Sequence, residues 1–171
     1  MMYIRIPVFP SVRPLRGNKF LLPACCSAGF LLGIAFAYRS QPLVSLMRGA
    51  IIGSVTIVGL GSVLLLPYLL TVSAVLFSSS GFLFTVAFFK AFSFGTCAAA
   101  VDLAFSDAGW LVRSLLMFSD FVGFPVLVWL SWHSFDSLGK RKTMYMIAGG
   151  LLLIIGLIDY FLIAPFLESV M

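Results

Sequence analysis

Long apolar runs separated by short polar breaks set the pattern of this chain. The first run extends from Phe20 to Tyr38, and about 20 helical residues of this kind cover a hydrocarbon core of about 30 Å. Polar residues return over 39–48, with Arg39, Ser40, Gln41, Pro42 and Arg48. From Gly49 to Phe105 the only charged residues are Lys90 and Asp102, so breaks in that stretch must come from turn chemistry and proline. Ser78-Ser79-Ser80-Gly81 is the clear turn, because serine and glycine favour turn conformations over a continued helix. Pro67 removes a backbone donor and kinks the helix before it. The pattern therefore predicts one long kinked helix over 49–78 and another over about 82–105. Ser106-Asp107-Ala108-Gly109 is the next turn, and a span over 110–132 follows with Pro125 inside it. The link 133–143 carries Asp136, Lys140, Arg141 and Lys142, and a last span over 144–166 contains Asp159.

These elements predict an all-α fold, a polytopic transmembrane helix bundle of about five spans, with six if the chain also turns at Pro67. Residues 1–19 form a basic tail, 20–166 the transmembrane domain and 167–171 a short C-terminal tail. The tail carries Arg5, Arg13, Arg16 and Lys19 and no acid, which suits contact with an anionic leaflet. The run after it also resembles a secretory signal with Ala35-Phe36-Ala37 as cleavage site. Its length and the retained Met1 favour a first span instead.

Charge discriminates between five spans and six. With five, the tail, the turn at 78–81 and the link at 133–143 share one side, which gathers most of the basic residues. The other side holds Arg39, Arg48, Asp107 and Glu168. That obeys the positive-inside bias with the N-terminus cytoplasmic in a cell membrane, whereas a turn at Pro67 sends Lys140-Arg141-Lys142 outside. Tyr38, Trp110, Trp129 and Trp132 fall near span ends, where amphipathic rings anchor at the headgroups.

Composition agrees. Hydrophobic residues make up 61% of the 171 and charged residues 10%, against about 45–50% and about 25% in soluble domains. The mean hydropathy is +1.13. A soluble surface needs charges that this chain lacks. Its net charge of +5 bears on orientation rather than on nucleic acid, which is not an expected partner. Cys25, Cys26 and Cys97 all lie in apolar runs without ligand spacing, so they read as packing residues rather than as a disulfide framework or metal site.

Candidate chemistry is sparse. Lys90, Asp102, Arg113, Asp120 and Asp159 are the intramembrane polar candidates; each costs several kcal/mol unless it is paired or wetted. Lys90 and Asp102 lie about 18 Å apart along one helix and cannot pair within it, whereas Asp120 or Asp159 from a neighbouring helix can meet Lys90. Arg113 and Asp120 share a face of the span over 110–132. Arg113 and Asp102 are near enough to span ends to snorkel. The alternatives are structural ion pairs or a polar seam used in transport or docking. Small residues at four-residue spacing, Gly29 with Gly33 and Gly49 with Gly53, let backbones approach closely, either within the molecule or at a partner; Gly95 is a further packing candidate. His133, the only histidine, reads as a surface residue. There is no nucleotide-binding loop, nucleophile elbow or metal signature. The expectation is no enzyme, no catalytic residue, no metal and no cofactor.

One segment carries a family resemblance. Lys90-Ala91-Phe92-Ser93-Phe94-Gly95-Thr96 resembles the K-G-F-x-x-G-F stretch of the stage II sporulation protein M family. Ser106-Asp107-Ala108-Gly109-Trp110 matches the break that follows it there, and Gly123-Phe124-Pro125-Val126 the later proline-bearing run. Gly29-Phe30-Leu31-Leu32-Gly33 is similar to that family's first span. The resemblance covers about residues 20–135. Ala91 stands where the family has glycine, and Phe118-Ser119-Asp120 where it often has P-Q-N. The resemblance implies five spans and a non-enzymatic membrane scaffold that localises peptidoglycan-remodelling enzymes, as in sporulation engulfment. The expected partners are the lipid bilayer, other membrane or cell-wall-remodelling proteins, and a second copy of the chain in a homo-oligomer. The alternative is a small transporter or permease subunit working with a separate ATPase, in which Lys90, Asp120 and Asp159 line a wet cavity.

Overall fold

A computed structural model describes residues 18–40, 65–76, 79–106, 109–135, 141–163 and 165–166. Among these the regular structure is helical throughout: α1 (Leu21–Arg39), α2 (Leu66–Leu76), α3 (Ser80–Ala104), α4 (Trp110–Leu116), α5 (Phe118–His133) and α6 (Arg141–Ile158), followed by a π turn (Asp159–Ile163). Three segments are long and apolar enough to cross a membrane: Leu21–Arg39, Ser80–Ala104 and Thr143–Ile163. The α4–α5 pair passes the same test only when taken together. This is a membrane protein by length and composition, and its surface agrees. Leu31, Phe89, Phe121, Met146 and Phe161 are each more than 60% exposed. Apolar side chains facing outward on α1, α3, α5 and the last span need a lipid solvent rather than water.

The helices alternate in direction. Gly29 of α1 lies against Phe88 and Ala91 of α3, and Gly33 lies against Phe92 and Thr96, so α1 and α3 run the same way. Ala74 and Val75 pack on Leu83 across the 78–81 turn, which makes α2 antiparallel to α3. Lys90 meets Asp120 while Phe84 stacks on Phe135, so α5 also opposes α3. Ser119 bonds Asp159 and Ser134 bonds Tyr145, so α6 opposes α5. One end of the bundle therefore gathers Lys19, Ser79, Ser134 and Tyr145. The other end gathers Arg39, Phe105 and Trp110.

The buried positions of α1, Leu22, Cys26, Gly29, Gly33 and Ala37, recur every three or four residues and form one stripe. Its other positions are apolar too, so the stripe is set by residue size rather than by polarity. Leu22 and Cys26 join Ala87 and Ala91 of α3 in one core cluster. A second cluster joins Leu127 of α5 to Leu152 and Ile155 of α6.

Two expectations are corrected. The span over 110–132 is not one continuous helix: α5 runs through Pro125, and the break falls at Met117, where α4 and α5 meet at a 51° bend. Ser119 and Asp120 follow that break, and short polar side chains suit a helix start better than a helix interior. The predicted shared face of Arg113 and Asp120 is lost, because the bend separates them. The last span is found at Thr143–Ile163; its helix begins at Arg141 and passes from α to π at Asp159. The widened π turn lies just before Pro165, whose ring would press on the carbonyl of Phe161 in a regular α-helix. Of the helix expected over 49–78, only 65–76 is among the described residues. The tail up to residue 17, Gly49 and Gly53 lie outside them.

Candidate functional site

Halfway along α3, Lys90 is 7% exposed and points at α5. Its Nζ donates to Oδ1 of Asp120 at 2.5 Å. Asp120 sits in the first turn of α5, where the positive end of the helix dipole favours a carboxylate. The break at Met117 thus places Asp120, at a helix N-terminus, beside the buried amine of Lys90. Next to it, the Ser119 hydroxyl donates to Oδ2 of Asp159 on the π turn. Ser119, Asp120 and Asp159 are all buried. Three elements are therefore cross-linked by polar contacts at one depth. In hydrocarbon such groups are expensive unless they find one another.

The space around the pair is small. A cavity of about 10 Å³ adjoins Lys90, lined by Pro67, Thr71, Ala87, Phe124 and Ser131 among others. It has room for about one water. Thr71 turns its hydroxyl back to the carbonyl of Pro67, one turn earlier in α2, at 2.8 Å, so that this hydroxyl is satisfied within its own helix.

Beside this polar layer the α1–α3 contact is made of backbone. A Cβ added at Gly29 would run into the carbonyl oxygen of Phe88, one at Gly33 into that of Phe92, and one at Gly95 into that of Phe30. The three glycines are reciprocal: two on α1 face α3, and one on α3 faces α1. The Thr96 hydroxyl bonds the carbonyl of Phe92 at 2.9 Å and lies 3.2 Å from that of Gly33, filling the notch. The Gly29–Gly33 face is thus occupied by α3 and is closed to a partner.

Asp102 and Arg113 come together elsewhere. Arg113 Nη1 donates to Asp102 Oδ1 at 2.5 Å, with 32% and 56% of the side chains exposed. They pair at the Trp110 end of the bundle rather than in its core. His133 ends α5, half-buried, with Nδ1 2.9 Å from the carbonyl of Trp129. Cys26 is buried, while Cys25 and Cys97 are half-buried, and all three are free thiols. Among the described residues no group of three or more His, Cys, Asp or Glu side chains could hold a metal ion.

Several contributors were not singled out from sequence. Ser119 is a lone hydroxyl whose only signal is its place beside Asp120. Tyr68 donates to the carbonyl of Tyr145 at 2.9 Å and presses on Gly149. The Tyr145 hydroxyl bonds Ser134 at 2.7 Å. A tyrosine inside an apolar run is the signal for such a bond, since its hydroxyl needs a partner in a buried place.

No family model, curated protein or solved structure matches the chain.

Proposed function

We propose that this protein is a non-enzymatic membrane scaffold: a rigid, five-span helical body whose lipid-facing surface recruits membrane or cell-wall-remodelling partners. The observation that carries the reading is where the polar groups go. Lys90 is satisfied by Asp120 and Asp159 by Ser119, and the adjoining cavity admits about one water. A carrier needs a wet, exchangeable site at this depth; a scaffold needs the groups locked. The tight glycine contact of α1 with α3 also favours a fixed body over moving halves.

The resemblance to the stage II sporulation protein M family belongs to the same reading. Lys90 and Gly95 carry it, and here one anchors the polar layer and the other the α1–α3 contact. The same-direction packing of α1 and α3 supports a single crossing between them, as five spans require and a turn at Pro67 does not. In this reading the end that gathers Lys19 is cytoplasmic in a cell membrane, and partners dock on outward side chains such as Leu31 and Leu153.

The test is photo-crosslinking in native membranes from position 31 or 153, with mass spectrometry of the products. The reading expects a cell-wall hydrolase, or a membrane protein that binds one, among them. Products that contain only an ATPase subunit, together with loss of a solute uptake in the Lys90→Met strain at unchanged protein level, would replace it with the permease reading.

A further inference from the structure

The break at Met117 has a second result. By tilting 51° from α5, α4 leans away from the bundle and buries none of its own residues. A groove of about 630 Å³ opens between α1, α3 and this elbow, within the range of ligand sites in general. Its walls are aromatic. Phe94 contacts Phe30 and Phe121, with ring centroids 5.3 and 6.4 Å apart, and Phe118 closes the elbow. Its rim is the Asp102–Arg113 pair, beside Trp110, which is 73% exposed. Phe94 and Asp102 are about 12 Å apart along α3. The groove therefore runs from hydrocarbon depth to a charged lip where a tryptophan marks the headgroup level.

We infer that this groove binds one phospholipid whose headgroup carries both a phosphate and a primary ammonium. The rim offers one cation and one anion side by side, and the lipid offers the complement. Arg113 uses Nη1 on Asp102, and a guanidinium has further N–H donors for a phosphate. Asp102 keeps Oδ2 for an ammonium N–H. An exposed ion pair of this kind contributes little to stability, so a headgroup opens it at small cost. A choline headgroup has no N–H to donate, and a glycerol headgroup leaves Asp102 facing a net anion. The rim thus selects ethanolamine from among the three, while the phenylalanine walls take an acyl chain.

The test uses the purified full chain in non-ionic detergent, mixed with equal amounts of phosphatidylethanolamine, phosphatidylcholine and phosphatidylglycerol of the same acyl chains and read by native mass spectrometry. One retained phosphatidylethanolamine per chain is expected, with each competitor bound about tenfold more weakly. Arg113→Gln and Asp102→Asn should each lower retention by about tenfold. Ala98→Phe, which fills the groove from its wall, should abolish retention, and Ile147→Phe, exposed on α6 outside the groove lining, should leave it unchanged. Ala98→Phe carries the test alone if the rim variants elute as aggregates. Equal retention of the three lipids, no retained lipid, retention unaltered in Ala98→Phe, or a second polypeptide held through the groove would each overturn the proposal.

Discussion

At the residue scale the decisive group is Lys90. An ammonium in a hydrocarbon core is tolerable because Asp120 faces it at 2.5 Å and both are desolvated together. Removing one partner leaves the other charge buried and alone. Lys90→Met and Asp120→Leu should therefore each destabilise the folded bundle by about 3–5 kcal/mol, whereas the double variant should recover most of the loss, since a buried pair is often replaceable by apolar residues. Denaturant titration in mixed micelles, followed by circular dichroism, measures this; a double variant no better than either single one would contradict it. Ser119 is the smaller case. Ser119→Ala takes the hydroxyl from Asp159 and should cost about 1–3 kcal/mol by the same measurement.

At the element scale the α1–α3 contact depends on side-chain size rather than polarity. Gly33→Leu or Gly95→Leu places a side chain where a backbone carbonyl now sits, so the helices must separate along the whole stripe. The expected loss is about 3 kcal/mol or more, above the usual cost of overpacking a core, while Leu31→Ala on the outward face of α1 should change stability by less than about 0.5 kcal/mol. Thermal unfolding in detergent distinguishes them. The positions of Gly29, Gly33 and Gly95 were legible in the sequence as small residues at packing intervals. Which helix filled the notch was not, because four-residue spacing identifies a face and not its occupant. The break at Met117 was illegible for a related reason. Proline at 125 is the stronger local signal, yet α5 continues through it and the bend falls at Met117 instead.

At the scale of the whole molecule, helix direction is the testable property. Because α1 and α3 run together, Ser40 and Ser79 stand at opposite ends of the bundle. In a background lacking Cys25, Cys26 and Cys97, single cysteines at 40 and 79 should label from opposite sides of the membrane with an impermeant maleimide. Labelling from the same side would mean an additional crossing at Pro67 and a different bundle.

The sequence alone determined the solvent: 61% hydrophobic and 10% charged residues leave no material for a water-facing surface, so helices that satisfy their own backbone follow. It also determined which residues would be costly in that solvent. Only the tertiary structure decided how each cost is met: Lys90 by Asp120 and not Asp159, Asp159 by Ser119, Arg113 by Asp102, and the glycine stripe of α1 by α3. These choices depend on which helices become neighbours and at what height. That is set by packing among many apolar side chains that look alike in sequence and differ only in shape.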